Sequence, residues 1–379
     1  MAKETKEAKG KKTKEVKKPV RSAELDTLLS TIRKNFGEAS IFHGDFVAKE
    51  MQTVSSGSIS MDMALGVNGF PYGRMVEIFG MESSGKTTLT LNVIAEAQKA
   101  GKVCAFIDAE HALDTAYAKK LGINIRDLII VQPDDAEQAM EITRALVESG
   151  QINVLVLDSV AALVPRTELE GEFDKANVGV HARIMSKAMR VLAGEANKNN
   201  VLMLFINQIR MKIGVMYGNP QTTTGGEALK FYSSIRLNVR KGEVVKDKNG
   251  VSVGGSTIVK VVKNKVAPPY TECEIPVTFG KGIDKAVDLY LVAKAMDVIE
   301  ARGAHNYLVM KDAAGEQTEE KLGSSKDETV NLLRSNKEKF EQVHKLAMAE
   351  HQRRLSEGDV VASDEDADEI KAQEVQPEE

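Results

Sequence analysis

Residues 80–87 read Gly-Met-Glu-Ser-Ser-Gly-Lys-Thr, a complete G-x-x-x-x-G-K-[ST] signature. An apolar run, 75–79, leads in, and a helix-like segment, 88–97, leads out. Strand, glycine loop and helix are the parts of a phosphate cradle. Gly80 and Gly85 let the chain curl until backbone N–H groups point inward, and the following helix adds its free N-terminal N–H groups. Glu82, Ser83, Ser84 and Thr88 fill out the segment. Lys86 is placed to reach the β- and γ-phosphates, and the Thr87 hydroxyl to ligate Mg²⁺. A nucleoside triphosphate site follows, and with it an α/β core. The loop alone does not say what the triphosphate is for.

Strands and helices alternate from 75 to 265. Strand-like runs cover 75–79, 103–108, 128–131, 154–158 and 201–206, with helices over 112–121, 135–149 and 179–198. The strands are continuously apolar, which predicts a mostly parallel sheet covered on both faces. Segments 235–240 and 257–262 are interrupted by polar residues and read as edge or antiparallel additions. Residues 284–355 read as helical and charged, a smaller C-terminal domain. Ahead of the core, Leu25, Leu28, Leu29, Ile32 and Phe36 recur at helical spacing and call for a packing partner in this chain or in a neighbouring subunit.

The termini differ sharply in charge. Residues 1–21 carry nine basic side chains against Glu4, Glu7 and Glu15, whereas 357–379 carry ten carboxylates against Lys371 alone. Both read as disordered: solubilising tails, or a basic arm that touches nucleic acid and an acidic tail that competes with it. Cys104 and Cys273 make no disulfide framework, the Lys-rich start has no apolar leader core, and no apolar run is long enough to span a bilayer. A cytoplasmic protein without a membrane partner is expected.

Ligands of open α/β sheets sit beyond the strand carboxyl ends. The run 154–157 ends in Asp158, a pattern that holds the Mg²⁺ shell through water. The run 104–107 leads to Glu110, which could activate the attacking water or serve as half of a surface ion pair; position alone does not choose. The run 202–206 ends in Asn207-Gln208, and Gln208 suits a γ-phosphate sensor. From 209 to 226 there is no carboxylate, but there are Arg210, Lys212, four glycines including Gly225 and Gly226, and three consecutive threonines. Such a loop suits a polyanion backbone, or the lid of another P-loop enzyme.

These motifs resemble the bacterial RecA recombinase family. The resemblance runs from about residue 22 to about 300 and includes 106–114, 158–163, 205–216, 222–232 and 261–265. It implies a RecA-type P-loop core with a mostly parallel sheet, an N-terminal docking helix and a small C-terminal α+β domain. The expected boundaries are a basic arm (1–21), an oligomerisation segment (22–50), the ATPase core (51–283), the C-terminal domain (284–355) and an acidic tail (356–379). The implied activity is ATP hydrolysis coupled to DNA strand exchange by a helical filament on single-stranded DNA, which takes up duplex DNA. By position Glu110 resembles the catalytic glutamate and Gln208 the γ-phosphate switch. Asp114 and Tyr117 match adenine-side residues. Lys263 and Lys265 match lysines that reach ATP on the adjacent subunit, so with Lys86 they join the catalytic set. Lys230, Phe231 and Arg236 match the subunit interface. Residues 171–178 and 209–223 match the two DNA loops, with Arg183 and Arg190 on the helix beyond the first. A LexA-type repressor and a single-strand-binding protein are implied partners. The resemblance is weakest in the first DNA loop, at Tyr217 and Gln221, and around 305–307. A hexameric helicase-type ATPase and a non-hydrolysing, ATP-gated DNA-binding protein are the competing readings.

Overall fold

The computed structural model describes residues 22–37, 41, 51–171, 179–211, 221–311 and 317–357. The basic arm, the acidic tail from 358, residues 172–178 of the expected first DNA loop and residues 212–220 of the expected second, Lys212 among them, lie outside them. The chain divides into two units, Met1–Glu50 and Met51–Glu379.

In the first unit, α1 (Ala23–Phe36) starts at Ser22, whose Oγ accepts from the Leu25 N–H. No α1 residue is buried, and Phe36 is 76% exposed. The helix expected from its apolar spacing is formed, and Leu25, Leu28 and Phe36 of the stripe are exposed.

The second unit opens with β1 (Thr53–Val54), α2 (Ile59–Ala64) and β2 (Phe70–Pro71), followed by β3 (Met75–Gly80) and α3 (Lys86–Lys99). There follow β4 (Cys104–Asp108), α4 (Thr115–Lys120), β5 (Leu128–Val131), α5 (Ala136–Glu148) and β6 (Val154–Asp158). Next come α6 (Arg166–Leu169), α7 (Val180–Lys198), β7 (Leu202–Met211), β8 (Gln221–Thr223), α8 (Ala228–Tyr232), β9 (Ile235–Lys246), β10 (Ser252–Asn264), β11 (Glu272–Thr278) and β12 (Gly282–Ile283). The chain closes with α9 (Lys285–Ala295), β13 (Ile299–Arg302), β14 (His305–Lys311), β15 (Gln317–Gly323), α10 (Lys326–Ser335) and α11 (Lys337–Glu357).

The central sheet runs β12-β11-β10-β9-β3-β7-β6-β4-β5. From β9 to β5 every pairing is parallel. Alternate residues feed two cores, which explains the continuous apolar runs. Val154 and Val156 pack with α3 residues on one face, and Leu155 and Leu157 with α5 and α7 residues on the other. The carboxyl ends align: Gly80 stands opposite Gln208, and Asp108 opposite Asp158.

Two expectations need correction. The strand begun at 235 is not an edge or antiparallel addition: β9 is an interior strand, parallel to β3, and the antiparallel part begins at β10. Its polar residues alternate because Ile235, Leu237 and Val239 fill one core, while Arg236 serves a buried polar cluster on the opposite face. The helical reading of the C-terminal region is incomplete, since β13–β15 form an antiparallel sheet, in keeping with the α+β domain that the resemblance implies. β15 hid among charges because only Leu322 of its residues is buried.

The C-terminal elements have their own apolar core, against which Ile59 and Met63 of α2 pack. At that seam lie two carboxylates. Asp288 of α9 accepts from Ser58 Oγ (2.9 Å) and the Ile59 N–H (2.5 Å), capping α2 from outside. Asp62 accepts from Ser55 Oγ and the Ser56 N–H. Burial pushes Asp62 up to about 6, helped by the neighbouring Asp288, which burial also raises. An acid raised in the folded state adds stability that is full below its unfolded value and lost as pH rises through about 6. Asp62→Asn, a neutral isostere, should therefore gain on the parent by roughly 2.5 kcal/mol between pH 4 and pH 8. Denaturant titrations of the full chain at both pH values check this. Parallel pH profiles for parent and variant would refute it.

Candidate nucleotide and DNA site

The strand ends and the loop after β3 enclose a cavity of about 430 Å³ lined by 82–88, Glu110, Asp158, Ile206 and Gln208. Gly80 ends β3 where a Cβ would lie 2.0 Å from the Val239 carbonyl oxygen of β9, so only glycine fits. Gly85 has φ +96° and forms the N-cap of α3 with no side-chain cap bond. The first N–H groups of α3 are thus left for a ligand. Ser84 Oγ is buried without a hydrogen-bond partner among the described residues, which is costly unless a ligand supplies one.

Lys86 is almost wholly buried and donates to the carbonyls of Gly80 (3.2 Å) and Met81 (2.7 Å). Burial lowers its pKa, opposed by Asp158, Glu110 and Glu82. Thr87 Oγ1 donates to Asp158 Oδ2 at 2.7 Å. Burial pushes Asp158 up to about 6; the Thr87 bond pulls down, and Glu110 and Asp108 push up. A hydroxyl and an under-compensated carboxyl at the mouth of an anion cradle make a hard-oxygen donor pair suited to Mg²⁺.

Glu110 extends past β4 and accepts from Ser159 Oγ (2.5 Å) and from Gln208 Nε2 (3.2 Å). The structure thus brings together residues from three strand ends and the P-loop. A second cavity, about 190 Å³, shares Ser83, Ser84, Gly85 and Thr88 and adds Tyr117, Lys241 and Phe279 among its lining. Thr88 Oγ1 lies 3.2 Å from Tyr117 Oη. Asp114 lines neither cavity; it caps α4, accepting from the Ala116 and Tyr117 N–H groups, and so holds the helix that presents Tyr117.

Lys263 and Lys265 are not in this cavity. Lys263 Nζ donates to the Lys230 (2.6 Å) and Phe231 (3.1 Å) carbonyls, and Lys265 Nζ to that of Phe231 (3.4 Å). Burial, then Lys265 and Arg236, lower Lys263 to about 8. Beside them Phe231 is 71% exposed.

The segment expected to be the second DNA loop begins and ends on a stem. β7 runs beyond the sheet and pairs with β8, Arg210 opposite Thr222. Arg210 at the stem is exposed, as are Arg183 and Arg190 on α7. Gly225 and Gly226 follow, both at positive φ; a Cβ on Gly226 would lie 2.9 Å from that of Ala182 on α7. They seat the loop exit against the helix that leaves the first loop.

Sequence reasoning passed over two contributors. Ser159, which follows Asp158 and donates to Glu110, carries no signal of that role in the sequence. Glu77 was counted within an apolar run; a carboxylate inside a wholly buried strand was the available signal.

A family model described as the RecA N-terminal domain matches residues 23–284. Protein RecA of Bdellovibrio bacteriovorus is 50% identical over 328 residues, covering 86% of this chain and 84% of that protein. Protein RecA of Haemophilus ducreyi is 49% identical over 345 residues, 90% of each chain. Protein RecA of Methylobacterium radiotolerans is 51% identical over 320 residues, 83% of this chain and 85% of that protein. With half the residues shared across most of both lengths, and the P-loop, Asp158, Glu110 and Gln208 gathered at one sheet edge, this chain belongs to the RecA family.

Proposed function

We propose that this recombinase and DNA-dependent ATPase works as a helical filament on single-stranded DNA, pairing it with a homologous duplex. The observation that carries the reading is Gln208: its side chain reaches Glu110 in the nucleotide cavity, and its backbone begins the stem of the second DNA loop. Nucleotide and DNA therefore meet on one strand.

ATP lies with its phosphates over the α3 N-terminus, Lys86 balancing β- and γ-phosphate charge. Thr87 and, through water, Asp158 would hold Mg²⁺, which would neutralise charge on those phosphates. Glu110, oriented by Ser159, takes the proton of the attacking water as it adds to the γ-phosphorus and ADP departs. Tyr117 and the second cavity receive the adenine end. Lys263 and Lys265 reach the ATP of the adjacent subunit, which ties turnover to assembly. Arg183, Arg190, Arg210, Lys212, Gly225 and Gly226 hold the DNA backbone. Gln208 leaves Glu110 for the γ-phosphate when ATP binds and returns after hydrolysis, moving the stem.

The core spans 51–283, with the oligomerisation segment before it and the C-terminal domain after it. The filament acts in the cytoplasm, where both cysteines stay free, and its protein partners are a LexA-type repressor and a single-strand-binding protein. No helix among the described residues is long and apolar enough to cross a membrane.

Two measurements test this. ATP turnover should rise at least tenfold when single-stranded DNA is added; equal turnover with and without DNA would sink the coupling. Electron microscopy with an ATP analogue and single-stranded DNA should show open helical filaments. Closed rings would favour the hexameric alternative.

A further inference from the structure

Beneath the stem of the second DNA loop lies a polar cluster that the nucleotide chemistry does not use. Glu77, in the middle of β3, is wholly buried. Its register partners are Phe205 on β7 and Arg236 on β9. Glu77 Oε2 accepts from Arg236 Nε at 2.6 Å, and Glu77 Oε1 accepts from Asn207 Nδ2 at 3.0 Å. Asn207, also fully buried, makes three further bonds. Its Oδ1 accepts from the Gln208 N–H (2.9 Å) and from Thr224 Oγ1 (2.5 Å), and its Nδ2 donates to the Thr224 carbonyl (3.0 Å).

The placement of these bonds matters. Residue 208 is where the strand leaves the nucleotide cavity for the loop, and residue 224 is where the loop returns. One amide side chain thus ties together both feet of the stem. That amide is in turn oriented by a carboxylate fixed in the P-loop strand. A buried charge of this kind is costly unless it is paired and hydrogen-bonded, and a hydrophobic residue would fill β3 more cheaply. The same carboxylate and Arg236 also act electrostatically on Lys263, whose Nζ donates to the Lys230 and Phe231 carbonyls.

We propose that Glu77 is a positioning residue: by holding Asn207 against both ends of the 209–223 segment, it converts displacement of Gln208 into movement of the whole DNA-loop stem. The inference rests on the switch role given to Gln208 above. With the clamp intact, the 208 and 224 ends move as one body. Without it, Gln208 moves alone and the loop keeps its DNA affinity in either nucleotide state. Glu77 touches neither substrate nor reacting atoms, so its effect is on communication between sites.

The test reads the ratio of single-stranded DNA affinity with a non-hydrolysable ATP analogue to that with ADP, by fluorescence anisotropy of a labelled oligonucleotide. Two variants of the full chain are compared with the parent. Glu77→Gln offers one acceptor oxygen to two donors, Asn207 Nδ2 and Arg236 Nε, so it loses one of those bonds together with the ion pair. Thr224→Val removes one hydroxyl at the far foot. The expected ratio falls about tenfold or more for Glu77→Gln and about fivefold for Thr224→Val, while the affinity for a fluorescent nucleotide without DNA stays at the parental value. If Glu77→Gln does not fold, Thr224→Val alone decides. An unchanged ratio in folded Thr224→Val overturns the clamp. So does an equal loss of DNA affinity in both nucleotide states, which would make Thr224 a plain DNA contact. A parent with no nucleotide dependence of DNA affinity would instead refute the switch reading on which the clamp depends.

Discussion

Glu110→Gln is expected to bind ATP as the parent does and to lose DNA-stimulated turnover by two to four orders of magnitude, the usual contribution of a positioned general base. The variant changes little else. Glutamine has the same length, and its carbonyl oxygen can still accept from Ser159 Oγ and Gln208 Nε2, which bond the Glu110 carboxylate now. What it cannot do is take a proton. The groups proposed to hold the nucleotide, Lys86, Thr87 and the α3 N-terminus, are untouched. Filaments should therefore assemble with ATP and persist, because the γ-phosphate is no longer removed. Single-turnover hydrolysis and filament lifetime measured on the same preparation check both halves. Turnover near the parental rate would take Glu110 out of the reaction and return it to the role of a surface carboxylate.

Lys86→Ala should fail earlier, at binding. The Lys86 ammonium is the cation whose charge acts on both Asp158 and Glu110 from within the cavity. Its removal takes away charge-assisted bonds to the phosphates, each worth about 1.5–3 kcal/mol. It also leaves two carboxylates facing a polyanionic ligand. ATP affinity should drop at least about a hundredfold, with no measurable hydrolysis and no ATP-dependent assembly on DNA. Nucleotide titration followed by fluorescence, with circular dichroism to establish folding, checks this. Tight ATP binding by a folded variant would remove Lys86 from the site.

The nucleotide half of the site was legible because its parts are local. Gly80 to Thr87 is one unbroken segment, and Asp158 and Gln208 each end an apolar run, so strand ends could be listed and their neighbours inferred from the rule for open sheets. The partners of those residues were less visible, because they are joined only by register. Nothing in the sequence near Glu77 announces Arg236 or Asn207; they lie 159 and 130 residues away. β9 was misplaced for a related reason. Alternating polarity usually means a strand with one wet face, but here Arg236 alternates because its face holds a buried ion pair. β15 was missed because a strand of exposed charges carries no period that burial can impose. Of α1 the sequence showed the stripe, Leu25 to Phe36, and the structure adds that none of its residues is buried.

The contact between Gly80 and the Val239 carbonyl changes how the signature itself should be weighed. The first glycine of a phosphate loop is commonly taken as a mark of the ligand. In this protein a neighbouring strand forbids any side chain there whether or not a nucleotide is ever bound. A descendant that had abandoned ATP would still be compelled to keep Gly80, whereas Lys86 and Thr87 would be free to drift. Decay of the motif would therefore be uneven, and the surviving glycine would be a fossil of the sheet and not of the chemistry. In sequences of this lineage, diagnostic weight for an active site belongs to the lysine and the hydroxyl that follows it.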